Sequence, residues 1–465
     1  MPIESLGVEG NRFGGDRPHD DCTCTSSVSF SSSSLRVAGG DTKSLQPPVG
    51  VVHRCSTSTY PQLMPMQSKG RKIVYVCLAA AVWHIGMQWA NLLFPYLQWE
   101  VHPPLDMVDI GVIHAVGSLS NMVGAFMIGE VIDNYGCQLC FFLSAIVTGG
   151  YYVLLSQVTS YHGFLLAQTL RIGFHFDHIT EIFISTVTTE SERTAALLKM
   201  GLPIGVSTIV GPWVAGRLTV AYNLRFAQFV NGVFTTVGIL PIIYLISDVH
   251  GVPRIHLSKL RFHNYLSMLS NDRLLKCVAM RASLLVPLIC YEMVSRQYLI
   301  RTFFEKANDA TLLFCILGLS ILFTNFYAIR KLQQHFKPKF VMQMAVGVLI
   351  FSYASLPLIS STLQLIFVMT LQTIGYSVAL SEAVSQLTTT VEKSELGKAT
   401  GLATSLHWLL HCTIPLIAGY VLQTWGHIPL SLGAAVVSGI ALYAITEYGQ
   451  FMNRHMGDLP FMLNY

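Results

Sequence analysis

Residues 107–157 read MVDIGVIHAVGSLSNMVGAFMIGEVIDNYGCQLCFFLSAIVTGGYYVLLSQ. Two apolar runs flank one short polar knot, Gly129-Glu130-Val131-Ile132-Asp133-Asn134-Tyr135-Gly136. A helix of about 20 apolar residues crosses the ~30 Å hydrocarbon core of a bilayer, so the stretch predicts two spans joined by a tight turn. Working outward, the pattern recurs. Spans are predicted at 73–97, 107–129, 139–158, 162–186, 196–219, 225–247, 275–298, 309–330, 340–359, 362–388, 397–422 and 427–448. Composition agrees: 52% of the 465 residues are hydrophobic and only 12% charged, against roughly 25% charged in soluble domains. The expected architecture is an all-α membrane protein of twelve spans. Residues 1–72 form a Ser/Gly/Pro-rich tail expected to be disordered, 73–247 the first six-helix half, 248–274 a linker, 275–448 the second half and 449–465 a second tail.

Charge sets orientation rather than partners. The net charge of +4 does not suggest nucleic-acid binding. With the N-terminus cytoplasmic, seventeen Lys and Arg fall in inner segments and five in outer ones (Arg217, Arg225, Arg296, Arg301 and Lys306). That asymmetry predicts both termini inside. Most of the ten cysteines lie in apolar runs, and none has zinc-ligand spacing. No phosphate-binding loop, G-x-S-x-G or H-E-x-x-H motif is present, so no cofactor, metal or enzymatic activity is expected.

The halves repeat. At an offset of 203, Ser191-Glu192 falls on Ser394-Glu395, Ala196 on Ala399, Pro212 on Pro415 and Ala215-Gly216 on Ala418-Gly419. Duplicated halves are a transporter architecture. Three motifs carry a family resemblance. The knot with Gly129, Asp133 and Gly136 resembles the G-x-x-x-D-x-x-G signature of the major facilitator superfamily, though Asn134 stands where Arg is common. The fifth span, with Gly211-Pro212 among small residues, resembles the family's antiporter motif. Arg171-Ile172-Gly173-Phe174-His175-Phe176-Asp177-His178, followed by Glu192-Arg193-Thr194-Ala195-Ala196-Leu197, resembles the organic-cation-transporter-like branch, the solute carrier family 22 member 18 type. The resemblance implies a major facilitator fold, a conformational gate at Gly129, Asp133, Gly136, Gly211 and Pro212, and proton-linked exchange of organic cations or lipophilic amines.

Read residue by residue, a charge at mid-bilayer is costly and faces the bundle interior. On a continuous fourth helix Arg171, His175 and His178 share one face, with Glu181 a turn beyond His178. Glu382, Glu292 and His84 add candidates on the tenth, seventh and first spans. These seven are the candidate substrate- and proton-binding residues. A histidine beside a carboxylate suits a coupling proton. The expected function is a monomeric proton-coupled antiporter of a small organic cation, contacting only solute, protons and membrane lipid. Alternatives are a facilitator or symporter of a neutral or anionic metabolite, with Arg171 holding the anion, and a non-transporting membrane scaffold or regulator. The membrane is the plasma membrane or an intracellular one.

Overall fold

A backbone surrounded by lipid must satisfy its own hydrogen bonds, which restricts apolar runs of this length to helices or closed barrels. The computed structural model describes residues 66–188, 201–246, 272–390 and 396–453, and every regular element among them is helical. Eleven helices among the described residues are long and apolar enough to cross a membrane. The first three spans are Met66–Trp99, Met107–Tyr135 and Cys137–Gln157; the fifth and sixth are Gly201–Ala221 and Leu224–Tyr244. The seventh, Asp272–Cys290, continues through a π-turn, Tyr291–Ser295, into Arg296–Phe303. The eighth does the same: Ala307–Phe323, a π-turn at Thr324–Ala328, then Ile329–His335. The last four are Pro338–Ser355, Thr362–Thr390, Leu396–Trp425 and His427–Asn453. The fourth crossing is made of two shorter pieces, Tyr161–Thr169 and Phe176–Val187, on either side of a 3-10 turn at Leu170–Gly173.

Local chemistry ends these helices. Asp106 accepts from the Asp109 backbone N–H at 2.8 Å, and the Asp109 side chain accepts in return from Asp106 N, a reciprocal cap that satisfies two otherwise orphaned donors. Asn223 caps the sixth span through Phe226 N at 2.7 Å. Gly136 sits between the second and third spans at φ 85°, a left-handed conformation that glycine adopts without strain. The side chains of Gly129, Asp133 and Asn134 lie outside the described set, as do residues 192–200 of the Glu-Arg motif, the tail up to residue 65 and most of the linker 248–274.

Within Pro61–Tyr465 the helices pack with a repeated pattern. The first span lies against the fifth and sixth and the third against the sixth; likewise the seventh lies against the eleventh and twelfth and the ninth against the twelfth. The halves meet through the second against the eleventh and the fifth against the eighth. Shifting each span number by six exchanges these two contacts, as a pseudo-two-fold relation requires. Glycines allow the crossings. A Cβ on Gly111 would collide with the Pro415 carbonyl and one on Gly419 with that of Met107, while Gly318 abuts Thr208. Small residues at such points are what permit close approach of membrane helices.

The apolar core is arranged asymmetrically along the bundle. One cluster is continuous across both halves, from Trp89, Leu93, Tyr96 and Phe164 to Leu299, Phe304 and Leu313 near the 100–106 loop, and runs on through the second half to Val341, Met342 and Ile445. Toward the opposite end the first half has its own cluster around Trp83, Phe141, Phe176 and Ile243, and the second half another around Leu274 and Leu387. Large apolar side chains such as Leu319, Phe351, Phe367 and Ile440 stay exposed, as expected of surfaces whose solvent is lipid.

Several helices outrun their predicted bounds. The first starts at Met66 rather than 73, the seventh reaches Phe303 rather than 298, and the eighth reaches His335 rather than 330. Polar residues such as Arg301 and Lys331 interrupt the hydropathy but not the helix.

Candidate functional site

Two adjoining cavities, ≈ 220 Å³ and ≈ 350 Å³, lie between the halves and share Met87, Asn91, Glu292 and Arg296 in their walls. The first is closed by Phe94, His114, Tyr151, Tyr152, Arg171 and Phe174. The second extends toward Thr208, Phe314, Tyr353, Gln372 and Tyr376. The site is aromatic-walled, with a few polar groups converging on it, the usual composition of a small-molecule site.

The broken fourth span positions Arg171. The chain leaves helical geometry at Phe174 (φ −81°, ψ 56°) and His175 (φ −121°, ψ 23°). The backbone groups this frees are satisfied locally. Ser144 Oγ donates to the Gly173 carbonyl at 2.8 Å. With its amide turned to suit both neighbours, Asn121 donates to the Arg171 carbonyl at 2.7 Å and accepts from its guanidinium at 3.2 Å. Gly117 and Gly124 of the second span provide the room: a Cβ on the former would strike Gln168, and one on the latter the Ile172 carbonyl and His175 Nε2. The guanidinium lies 5.7 Å from the Phe174 ring centre, and its Nε makes no hydrogen bond among the described residues.

The seventh span supplies the facing wall. Its π-turn brings Glu292 and Arg296 together at 3.3 Å, with Arg296 also 5.8 Å from the Phe314 ring. Next to them Gln297 Nε2 donates to His114 Nε2 across the half-to-half boundary, and the His114 ring packs edge-on against Phe94. The cavity therefore presents two permanent cations, one from each half, and one carboxylate already paired with the second of them.

Of the seven candidate binding residues, Arg171 and Glu292 line this cavity. The helix break corrects the one-face reading of the fourth span. His175 is buried against Gly124, whereas His178 and Glu181 are exposed on the second piece, beside Asp177. His84 is buried on the first span, its Nε2 2.9 Å from Asp177 Oδ1. Glu382 is buried in the second half, where Gln333 Nε2 donates to it at 2.7 Å. Of the gate residues, Gly211 packs its Cα against the first span, where a Cβ would lie 2.6 Å from the Ile85 carbonyl, and Pro212 sits within an unbroken helix. Sequence reasoning missed Arg296, counted among the outer-segment charges at the end of the seventh span, and Asp177. The Glu292/Arg296 spacing of four on one helix was the available signal for the first.

Comparison with known proteins places this geometry. The sequence profile of the Major Facilitator Superfamily matches residues 76–410. Mouse solute carrier family 22 member 18 is 23% identical over 402 residues, which is 81% of this chain and 97% of the relative. Human solute carrier family 67 member A1 is 23% identical over 401 residues, 80% of this chain and 92% of the relative. Among solved structures, the nucleoside transporter NupG superposes with TM-score 0.63 at 12% identity, covering 83% of this chain and 100% of that one. The human organic anion transporter MFSD10 (TETRAN) gives 0.59 at 16% identity, covering 81% and 99%.

Proposed function

Because the chain belongs to the major facilitator superfamily, we propose that it carries a small organic solute by alternating access, and that the solute is an anion held between Arg171 and Arg296. The observation behind the charge assignment is the state of the carboxylates. Glu292 is paired with Arg296 and Asp177 lies beside His84, and Glu382 is outside the cavity walls, hydrogen-bonded to Gln333. Arg171 faces the cavity with the neutral Asn121 and the Phe174 ring against its guanidinium, and no ion pair to it is seen among the described residues. A guanidinium fork matches a carboxylate or phosphate, and Phe94, Tyr151, Tyr152 and Phe314 suit an apolar or aromatic body. Arg171 comes from the first half and Arg296 from the second, so one anion touching both would draw the halves together, as a carrier requires on occluding its load.

Both cavities are walled by residues of the continuous core, among them Tyr151, Tyr152, Tyr291 and Tyr353. With both termini cytoplasmic, from the basic-residue asymmetry, the end held shut by the half-to-half contacts of Tyr96, Met107 and Trp99 is the outer one, and the monomer is the transporting unit. A second reading keeps the sequence expectation of proton-coupled exchange of an organic cation. It is favoured by the partly exposed Glu292, and it requires the cation to displace Arg296. Uptake by proteoliposomes from a panel of labelled organic anions and cations separates the two. Saturable anion uptake that Arg171→Ala abolishes supports the first. Cation uptake that survives Arg171→Ala and is lost in Glu292→Gln overturns it.

A further inference from the structure

The second piece of the fourth span carries Asp177, His178 and Glu181 on one exposed face, opposite Phe176, Ile179, Phe183 and Ile184, which are buried. Three ionisable groups on one face of a membrane helix face water rather than lipid, so this face borders an aqueous vestibule. Asp177 is 55% exposed to it; His84, whose Nε2 lies 2.9 Å away, is 2% exposed. Neither ring nitrogen of His84 makes a well-formed hydrogen bond among the described residues. Trp83 holds the ring from behind, at 5.0 Å and nearly perpendicular, and is itself stacked on Phe176 and donates to Thr148.

We propose that His84 and Asp177 together form a proton-binding site of this transporter, distinct from the central cavity and open to water through Asp177. The proposal rests on the transporter reading for its role, not for its chemistry. A neutral imidazole beside a carboxylate carries a net charge of −1; a bound proton makes an imidazolium–carboxylate pair of net charge zero. Closing the vestibule would move Asp177 out of water. A net charge resists that transfer far more than a neutral pair does, so proton binding and closure favour each other, and by linkage each strengthens the other equally. The surrounding titratable groups are few. His175, His178 and Glu181 lie on the same fourth span and Cys140 on the third. The fifth span, Gly201–Ala221, contributes Arg217 near its end, and the sixth, Leu224–Tyr244, contributes Arg225 and Tyr244 at its two ends. Glu130 and Asp133 of the second span have side chains outside the described set.

Trp83 provides a readout that needs no substrate, because a protonated imidazole against an indole quenches its emission. The full chain is purified in detergent and its tryptophan emission titrated with pH. The pH-dependent component lost in Trp83→Phe should disappear in His84→Gln and be altered in Asp177→Asn, since both groups share the bound proton. If Trp83→Phe does not fold, the parent minus His84→Gln difference replaces it. A titration that Asp177→Asn leaves in place overturns the site. A second arm reads coupling in proteoliposomes. A pH gradient of one unit drives about tenfold accumulation per proton, and Asp177→Asn should reduce the driven accumulation toward unity. Retention of parental accumulation overturns the coupling role. If the parent moves no solute on the panel, the transporter reading fails, and the emission titration still decides whether the proton site exists.

Discussion

Arg171 and Arg296 make different demands on a ligand although both are guanidinium groups. Arg171 is fixed through its own carbonyl and side chain by Asn121, so its fork is pre-organised toward the cavity. Arg171→Lys keeps the charge and loses the fork; KM for an anionic substrate should rise about tenfold or more, measured by concentration-dependent uptake. Arg296 is restrained by Glu292. Glu292→Gln should release it and lower KM for an anion about two- to fivefold, the equivalent of ~0.5–1 kcal/mol for a partly exposed pair. A rise in KM would count against the anion reading, because it would mean the carboxylate contacts the solute.

At the scale of the element, the break in the fourth span is held by neighbours rather than by its own residues. Ser144 on the third span satisfies the Gly173 carbonyl, and Gly124 on the second leaves room for the Ile172 carbonyl. Ser144→Ala should cost about 1–2 kcal/mol by stranding a buried acceptor. Gly124→Val should cost about 1–3 kcal/mol by pushing apart two backbones. Gly173→Ala would crowd the Val147 side chain, at 2.6 Å from its nearer methyl and 2.9 Å from its Cβ, and should be milder than Gly124→Val, where a larger side chain would meet a backbone carbonyl. Thermal unfolding of the detergent-solubilised protein ranks the three. If Gly124→Val unfolds no earlier than Gly173→Ala, the second span does not brace the break.

For the whole molecule, the contacts between halves gather near the 100–106 loop. Tyr96 Oη donates to the Phe304 and Lys306 carbonyls at 3.4 and 3.2 Å, Met107 N donates to Gln423 at 3.0 Å, and Arg301 lies 5.4 Å from the Trp99 ring. These close that end. Tyr96→Phe removes one donor, with a net effect of about 1 kcal/mol, and should raise the population open at that end about fivefold. The check is the labelling rate of Asn91→Cys in the cavity, applied from the 100–106 side in a background where the seven described cysteines and those outside the described residues are replaced. An unchanged rate would remove Tyr96 from the latch. The same reagent tests topology: a cysteine placed in 99–106 should react only from outside the cell or from the lumen.

Composition and periodicity by themselves determined the class and architecture of this protein. Apolar runs of bilayer length must become helices, the 203-residue offset pairs one half with the other, and Gly136 marks the turn where only a left-handed backbone fits. Those features depend on neighbours in sequence and on the solvent. The site does not. Arg171, His175 and His178 share a face only if the helix runs on, and it breaks because Gly117, Gly124, Asn121 and Ser144, each remote in sequence, leave space and hydrogen-bonding partners for a bent backbone. Arg296 reads as an outer charge at the predicted end of the seventh span until the π-turn carries the helix past it to Phe303. His84 and Asp177 stand 93 positions apart in the chain, and only the packing of the first span against the second piece of the fourth brings them within 2.9 Å. Helix-scale rules act over a few residues; which charges meet is decided by contacts between helices.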